Sequence, residues 1–227
     1  MPTAEAHASQ LKSYFNGIGF ERWSAIYGSD PLPSVRRSVR EGHNRMLRQA
    51  SAWLGEHHAP GASLLDAGCG TGLFAVAMAR QGYRVTALDI APRMLETARA
   101  AARQAGMDEA IQFVEADTGT VAGRFDVVAC FDVLVHYPRE LFIDYCTQLA
   151  RCTDQTLVMT YAPHNNLLAG MHWVGGFFPK SKRRTEIQMI RRDVVVDTLA
   201  DAGLTVTRTV NISKGFYHVT LLEARRF

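Results

Sequence analysis

The chain has 227 residues, of which 47% are hydrophobic and 21% charged, with a formal net charge of +3. That length suits one α/β domain and the apolar content excludes a disordered chain, while the small, dispersed charge gives no reason to invoke nucleic acid. The four cysteines (Cys69, Cys130, Cys146, Cys152) form no CxxC pair and no His/Cys cluster, so neither a disulfide framework nor a metal site is expected, and buried thiols in a reducing compartment are.

Residues 1–12 are polar and carry no apolar signal-type core. No apolar run reaches the ~18 residues of a membrane span. The expected location is cytoplasmic. Residues 11–27 hold Tyr14, Phe15, Phe20, Trp23 and Tyr27, and the glycines at 17 and 19 weaken any single long helix, so two short helical pieces are predicted. The turn over residues 29–34 ends at Ser34, a good helix N-cap. From Val35, the residues Val39, Met46, Leu47, Ala50 and Leu54 fall on one helical stripe. Arg36, Arg37, Arg40, Arg45 and Arg48 lie mostly off it, as a solvated face does.

Strand and helix then alternate. Strands are predicted at 62–66, 83–88, 111–115, 125–131 and 156–161, and helices at 71–82, 92–105 and 138–152. Short loops between such elements predict an α/β fold with a parallel, doubly wound sheet. Asp193 is read as the cap of a further helix, followed by strands at 204–212 and 216–224 around a turn at 213–215. Residues 162–192 interrupt the pattern with Gly175, Gly176 and a Phe177-Phe178-Pro179 cluster, followed by Lys180, Lys182, Arg183 and Arg184. Loops this long are usually functional or mobile. Aromatics beside cations suit a flat, apolar, anionic ligand, and an ordinary solvated surface loop is the equal alternative.

The most informative stretch is Leu64-Leu65-Asp66-Ala67-Gly68-Cys69-Gly70-Thr71-Gly72, in which an apolar strand runs through an acidic residue into alternating glycines and then a helix. Glycines let the backbone turn sharply and let a ligand approach the main chain. The carboxyl end of a strand is where open α/β sheets bind ligands. The stretch resembles the cofactor loop of class I S-adenosylmethionine-dependent methyltransferases, in which the glycines pass under the methionine part of the cofactor and the acidic residue binds near its amino group. The competing dinucleotide fingerprint needs its third glycine one residue later, and a carboxylate at Asp66 would sit close to a pyrophosphate. Asp89, at the end of the second strand, is placed to accept from both ribose hydroxyls, with Ile90 and Met94 flanking the adenine. Asp117 ends the third strand beside Thr118 and is read as an acceptor for the adenine amino group, with a helix cap as its alternative role. Phe131, at the end of the fourth strand, is expected below the methionine portion.

The match extends beyond the cofactor loop. Tyr14-Phe15-Asn16-Gly17-x-Gly19-Phe20-Glu21-Arg22-Trp23, Ile26-Tyr27-Gly28, Arg40-x-Gly42-His43, Asp132-Val133-Leu134-Val135-His136-Tyr137-Pro138, Tyr161-Ala162-Pro163, Phe177-Phe178-Pro179 and Lys214-Gly215-Phe216-Tyr217 resemble the magnesium-protoporphyrin IX O-methyltransferase family. That resemblance implies a Rossmann-like class I methyltransferase fold: a seven-stranded, mostly parallel sheet with one antiparallel strand and helices on both faces. Residues 1–60 would form a helical segment covering the active site, and residues 61–227 the core, with a substrate-side insertion near 162–192.

It also implies methyl transfer from S-adenosylmethionine to a propionate of Mg-protoporphyrin IX, leaving S-adenosylhomocysteine, as a step of chlorophyll and bacteriochlorophyll synthesis. Tyr27 and His136 would be the catalytic pair, and Tyr14 and Arg40 would join the cofactor residues. Phe20, Trp23, Tyr27, Phe177 and Phe178 would cover the macrocycle, and Arg40, Lys180, Lys182 or Arg183 would meet a propionate. His43, His164 and His172 stay open as axial ligands of the substrate's magnesium. A magnesium chelatase subunit as partner and peripheral contact with photosynthetic membranes belong to the same expectation.

The chemistry is consistent with those residues. A carboxylate is ionised at neutral pH, so alignment at the sulfonium methyl matters more than a general base, and His136 and Tyr27 are read mainly as orienting groups. Two alternatives remain: a class I methyltransferase for another small acid or phenol, such as a quinone precursor, and a tetrapyrrole carrier without catalysis. A carrier has no need of Asp66, Gly68, Gly70 and Asp89 together.

Overall fold

The structure, a computed structural model, describes residues 3–28, 30–164 and 187–227. Three helices come first: α1 (Ala4–Asn16), α2 (Ile18–Tyr27) and α3 (Ser34–Gly55). Gly17 alone separates α1 from α2, while Gly19 sits inside α2 because the Tyr14 ring occupies the space a side chain would need. The amphipathic stripe of α3 buries Met46, Ala50 and Leu54 as its spacing demands. Ser34 is the first helical residue rather than the cap, a place Pro33 takes with no side-chain hydrogen bond.

The alternating unit follows: β1 (Ser63–Ala67), α4 (Leu73–Arg80), β2 (Arg84–Asp89), α5 (Pro92–Gln104), β3 (Ile111–Glu115), β4 (Phe125–Cys130), α6 (Arg139–Arg151) and β5 (Thr153–Pro163). Pro92 opens α5, where its missing N–H costs nothing. After the residues left undescribed come β6 (Met189–Ile190), α7 (Arg192–Asp201), β7 (Thr205–Lys214) and β8 (Tyr217–Arg225). Arg191, not Asp193, takes the cap position of α7. Asp193 instead accepts from its neighbour Val194 and pairs with Arg191.

The sheet order is β3-β2-β1-β4-β5-β8-β7. β1 to β5 run parallel, and β8 is antiparallel to both β5 and β7. One antiparallel strand in a seven-strand path is the expected architecture. An eighth, two-residue strand, β6, adds to it by pairing in parallel with the end of β5. The pairs β1·β2 and β1·β4 lie at the centre, so Leu64, Leu65 and Ala67 are wholly buried between the layers. One core cluster, around Leu65, Leu157 and Phe142, faces α6 and α7; the other, around Leu64, Met78 and Leu54, faces α3, α4 and α5. All four cysteines are buried free thiols. Among the described residues no helix is long and apolar enough to cross a membrane. The strand ends of β1, β2 and β4 open on one edge, under α1 and α2, and the site forms there.

Candidate functional site

β1 carries Asp66 and stops at Ala67, and the chain then turns on Gly68, Gly70 and Gly72, whose φ angles are +82°, +53° and +81°. Those values are left-handed, which only glycine adopts freely. At Gly68 there is a second constraint: a Cβ would collide with Cγ2 of Val133. The loop is pinned from below. The N–H groups of Gly68 and Cys69 donate to Leu88 O at 2.7 and 2.9 Å. Asp89 closes it from the side, Oδ2 accepting from Gly70 N and Oδ1 from Ala91 N, both at 2.9 Å. Each oxygen keeps a further lone pair for a ligand. Burial lifts the Asp89 carboxyl to about 6, against the pull of the Ala91, Gly70 and Ile90 amides.

Asp66 lies beneath this loop, 2% exposed. Burial raises it to about 7, the nearby Asp89 charge adds to the rise, and the Ala75 N–H at the start of α4 opposes it. Its Oδ2 has no hydrogen-bond partner among the described residues. A buried carboxylate with an open acceptor is costly unless a ligand completes it, and a cationic ligand group is the natural complement. The donor set therefore fits a cofactor with an ammonium group and a ribose.

A cavity enclosing about 650 Å³ of space, partly open to solvent, spans from this loop to the helices above. Of the residues expected from sequence, Trp23, Tyr27, Gly68, Gly70, Asp89, Ile90, Met94, Thr118, Phe131 and His136 all line it. No Lys or Arg among the described residues does so. Tyr27, at the end of α2, lies with its ring 4.6 Å from the His43 ring and 5.6 Å from Trp23. Burial, then the Asp132 and Asp89 charges, push its phenol far above the ordinary tyrosine value, so it remains a protonated hydroxyl. His136 ends a single 3-10 turn (Leu134–His136), is 8% exposed, and meets Phe15 of α1 at 5.5 Å, tilted edge-on. The His7 ring touches the His136 carbonyl at 2.9 Å. Two separate segments, α1 and the turn after β4, thus hold His136 in place.

Other expected residues are not brought to the cavity wall. Arg40 spends its guanidinium on three backbone carbonyls, those of Ile26 (2.7 Å), Ala25 (2.8 Å) and Asp30 (2.8 Å), and so ties down the end of α2 instead of reaching a ligand. Asp117 accepts from Gly119 N at 3.1 Å and from the Tyr145 hydroxyl at 2.8 Å, the cap role that was its alternative. Phe20 lies under the Arg93 guanidinium, 3.9 Å from its centroid, and Tyr14 packs edge-on against Phe15 at 5.0 Å. Phe177, Phe178 and Lys182 lie outside the described residues. Leu11, Phe15, Asp132, Val133 and Tyr137 also line the cavity, although none of them has a site role assigned from the sequence. For Asp132 a signal existed: it follows β4, as Asp66 and Asp89 sit at the carboxyl ends of β1 and β2. It is the one non-glycine residue with positive φ among those described, at 58°, a conformation that costs about 1–3 kcal/mol and clusters at functional sites.

Comparison with known proteins agrees with this geometry. A family model described as "Magnesium-protoporphyrin IX methyltransferase C-terminus" matches residues 130–226, and one described as "Methyltransferase domain" matches residues 64–155. The chain is 32% identical to the magnesium-protoporphyrin O-methyltransferase of Synechocystis over 95% of both chains. It is 30% identical to that of Rhodobacter capsulatus over 96% of both. The crystal structure of magnesium protoporphyrin IX methyltransferase from Synechocystis with bound S-adenosylhomocysteine superposes with a TM-score of 0.89 at 32% identity, covering 96% of this chain and 99% of that one.

Proposed function

We infer the function from one premise, that this chain belongs to the magnesium-protoporphyrin IX methyltransferase family. It is an S-adenosylmethionine-dependent O-methyltransferase that esterifies a propionate carboxylate of Mg-protoporphyrin IX, a step toward chlorophyll-type pigments. The observation that carries this reading is the single cavity whose one wall is the glycine loop with Asp89 and whose other wall holds Tyr27 and His136.

On this reading Asp66 takes the cofactor's ammonium group, Gly68 and Gly70 run along its methionine portion, and Asp89 holds the ribose. Ile90 and Met94 enclose the adenine, with Thr118 and Phe131 completing the wall. Tyr14, Arg40 and Asp117 are left out of the set because their polar or packing contacts lie elsewhere. S-adenosylmethionine supplies an electrophilic sulfonium methyl when bound. The residues around it have a modest chemical task, since the attacking carboxylate is already ionised. Tyr27 donates from a phenol that burial keeps protonated, and His136 engages the same carboxylate from the turn after β4. Fixing the line of oxygen, methyl carbon and sulfur is worth several kcal/mol of barrier, roughly the scale of ordinary proximity effects. With no Lys or Arg on the described wall, these two groups and the sulfonium charge meet the anionic oxygen.

Trp23 covers part of the macrocycle, and Phe177, Phe178 and Lys182 are assigned to the substrate on the family resemblance alone. The same resemblance supports residues 1–60 as a segment over the site, a magnesium chelatase subunit as donor of the substrate, and peripheral contact with photosynthetic membranes. The test is a methyl-transfer assay with S-adenosylmethionine and Mg-protoporphyrin IX beside metal-free protoporphyrin, read by product mass. One added methyl on the magnesium substrate is the expected result. No product, with the cofactor still bound, would redirect the search to other small acids and phenols.

A further inference from the structure

Three separate sequence pieces, those holding His43, Asp132 and Tyr217, converge on one carboxylate. Asp132 Oδ2 is 3.0 Å from His43 Nδ1 on α3, and the Tyr217 hydroxyl, at the start of β8, donates to Oδ2 at 2.9 Å and Oδ1 at 3.1 Å. Thr160 of β5 closes the set: its Oγ1 accepts from Asp132 N at 2.7 Å and donates to Oδ1 at 3.2 Å. The three partners are buried, with His43 at 7%, Tyr217 at 6% and Thr160 at 0% exposure, while Asp132 itself is partly exposed at the cavity wall. A carboxylate can only accept, so His43 is protonated at Nδ1 and its ring orientation is set by Asp132. Gly42 belongs to the same construction. A Cβ there would come within 2.5 Å of Tyr217 Cδ1, so only glycine lets the tyrosine ring lie against α3.

The oriented His43 ring is what Tyr27 packs against, 4.6 Å between centroids with the planes tilted by 36°. Tyr27 in turn faces the glycine loop, where a Cβ on Gly70 would touch its Cε2 at 3.6 Å. Strand ends of β4, β5 and β8 are thereby linked through α3 to a side chain on α2. The positive φ of Asp132 aims its carboxylate into this cluster, and buried polar clusters in which each member is satisfied fix one geometry.

We propose that Asp132, Tyr217 and His43 form a positioning network that sets the Tyr27 ring against the glycine loop, with Asp132 as its hub. The proposal rests on Tyr27 belonging to the reaction site, and it assigns none of the three a direct part in methyl transfer.

The experiment places 3-fluorotyrosine at position 27 of the full chain and follows its fluorine resonance in Tyr217→Phe and Asp132→Asn variants. Tyr217→Phe removes one hydroxyl, and Asn tolerates the left-handed backbone; cooperative melting of each variant is the control that the fold is kept. The resonance is expected to move and broaden in both. In the unlabelled Tyr217→Phe variant kcat should fall about tenfold, while cofactor Kd and porphyrin KM stay within about twofold. The Tyr217→Phe loss should vanish in a Tyr27→Phe background. An unchanged resonance in both variants overturns the network. A shifted resonance combined with full turnover of Tyr27→Phe leaves the network standing and removes Tyr27 from the reaction.

Discussion

The loop wall of the cavity is built from backbone within residues 66–89: left-handed glycines, amides pinned on Leu88 and a carboxylate that accepts from two of its neighbours' N–H groups. The helix wall is built from side chains that come together only in three dimensions. His43 and Tyr217 reach Asp132 from 89 and 85 positions away, and Tyr27 arrives on a helix whose end is held by Arg40. A backbone site fails when a glycine acquires a side chain, and a side-chain site fails when a rotamer loses its support. Substitutions in the two walls should therefore separate cofactor binding from turnover.

The largest effect is expected at Gly68. Alanine there meets both a φ of +82° and the Cγ2 of Val133. Left-handed strain and overpacking together cost roughly 2–5 kcal/mol. Calorimetric titration should show cofactor binding lost or weakened more than a hundredfold. Val133→Ala in the same chain should restore part of it, because one of the two causes is then removed. Next comes His136→Ala, for which turnover should drop about a hundredfold, the lower range for a positioned proton-bearing group. Cofactor Kd should stay within about threefold. A Kd that rises in step with the loss of turnover would place His136 on the wrong wall. Asp89→Ala reverses the pattern, raising cofactor Kd about 10- to 100-fold through loss of charged hydrogen bonds with kcat at saturation little changed. An unaltered titration curve would remove the ribose assignment.

The same contrast explains what could be read from the sequence. The loop wall was legible because its signals are local: Asp66 and Asp89 end apolar strands, and alternating glycines before a helix have few other uses. The strands and the parallel, doubly wound character of the sheet followed from the alternation, apart from two-residue β6, which has no periodicity to detect. The helix wall was legible only by resemblance. Nothing in the spacing of Arg40 distinguishes a ligand cation from one that closes a helix end, and its three carbonyl contacts come from α2 and the turn after it. Asp117 had two local readings, adenine acceptor and cap, and what the structure shows is the cap-type contact to Gly119 N and the Tyr145 hydroxyl, 28 positions on. Asp132 went unassigned because its partners sit on α3, β5 and β8, and strand-end position says nothing about such distant donors.

The smallest of the expected effects tests the loop wall through pH. Asp66 titrates near 7 and Asp89 near 6 in the folded protein, both raised first by burial. A raised carboxyl means that the native state holds its proton longer than the unfolded chain, whose value is about 3.9. The Asp66 contribution to stability is thus fully present below the unfolded value and is lost as pH rises through about 7. Cofactor binding has the opposite sign, since an ammonium group pairs only with the ionised carboxylate. From pH 8 to pH 6 the ionised fraction of a group titrating near 7 falls about tenfold, so cofactor Kd should rise about tenfold, or 1.4 kcal/mol. Melting curves provide the check. The gap between cofactor-saturated and cofactor-free melting temperatures should widen from pH 6 to pH 8 in the native chain, and in Asp66→Asn the widening should shrink to the smaller share that Asp89 contributes. If the asparagine variant keeps the same widening, the carboxylate under the glycine loop is not the partner of the ammonium group, and the loop wall owes its affinity to Asp89 and the backbone alone.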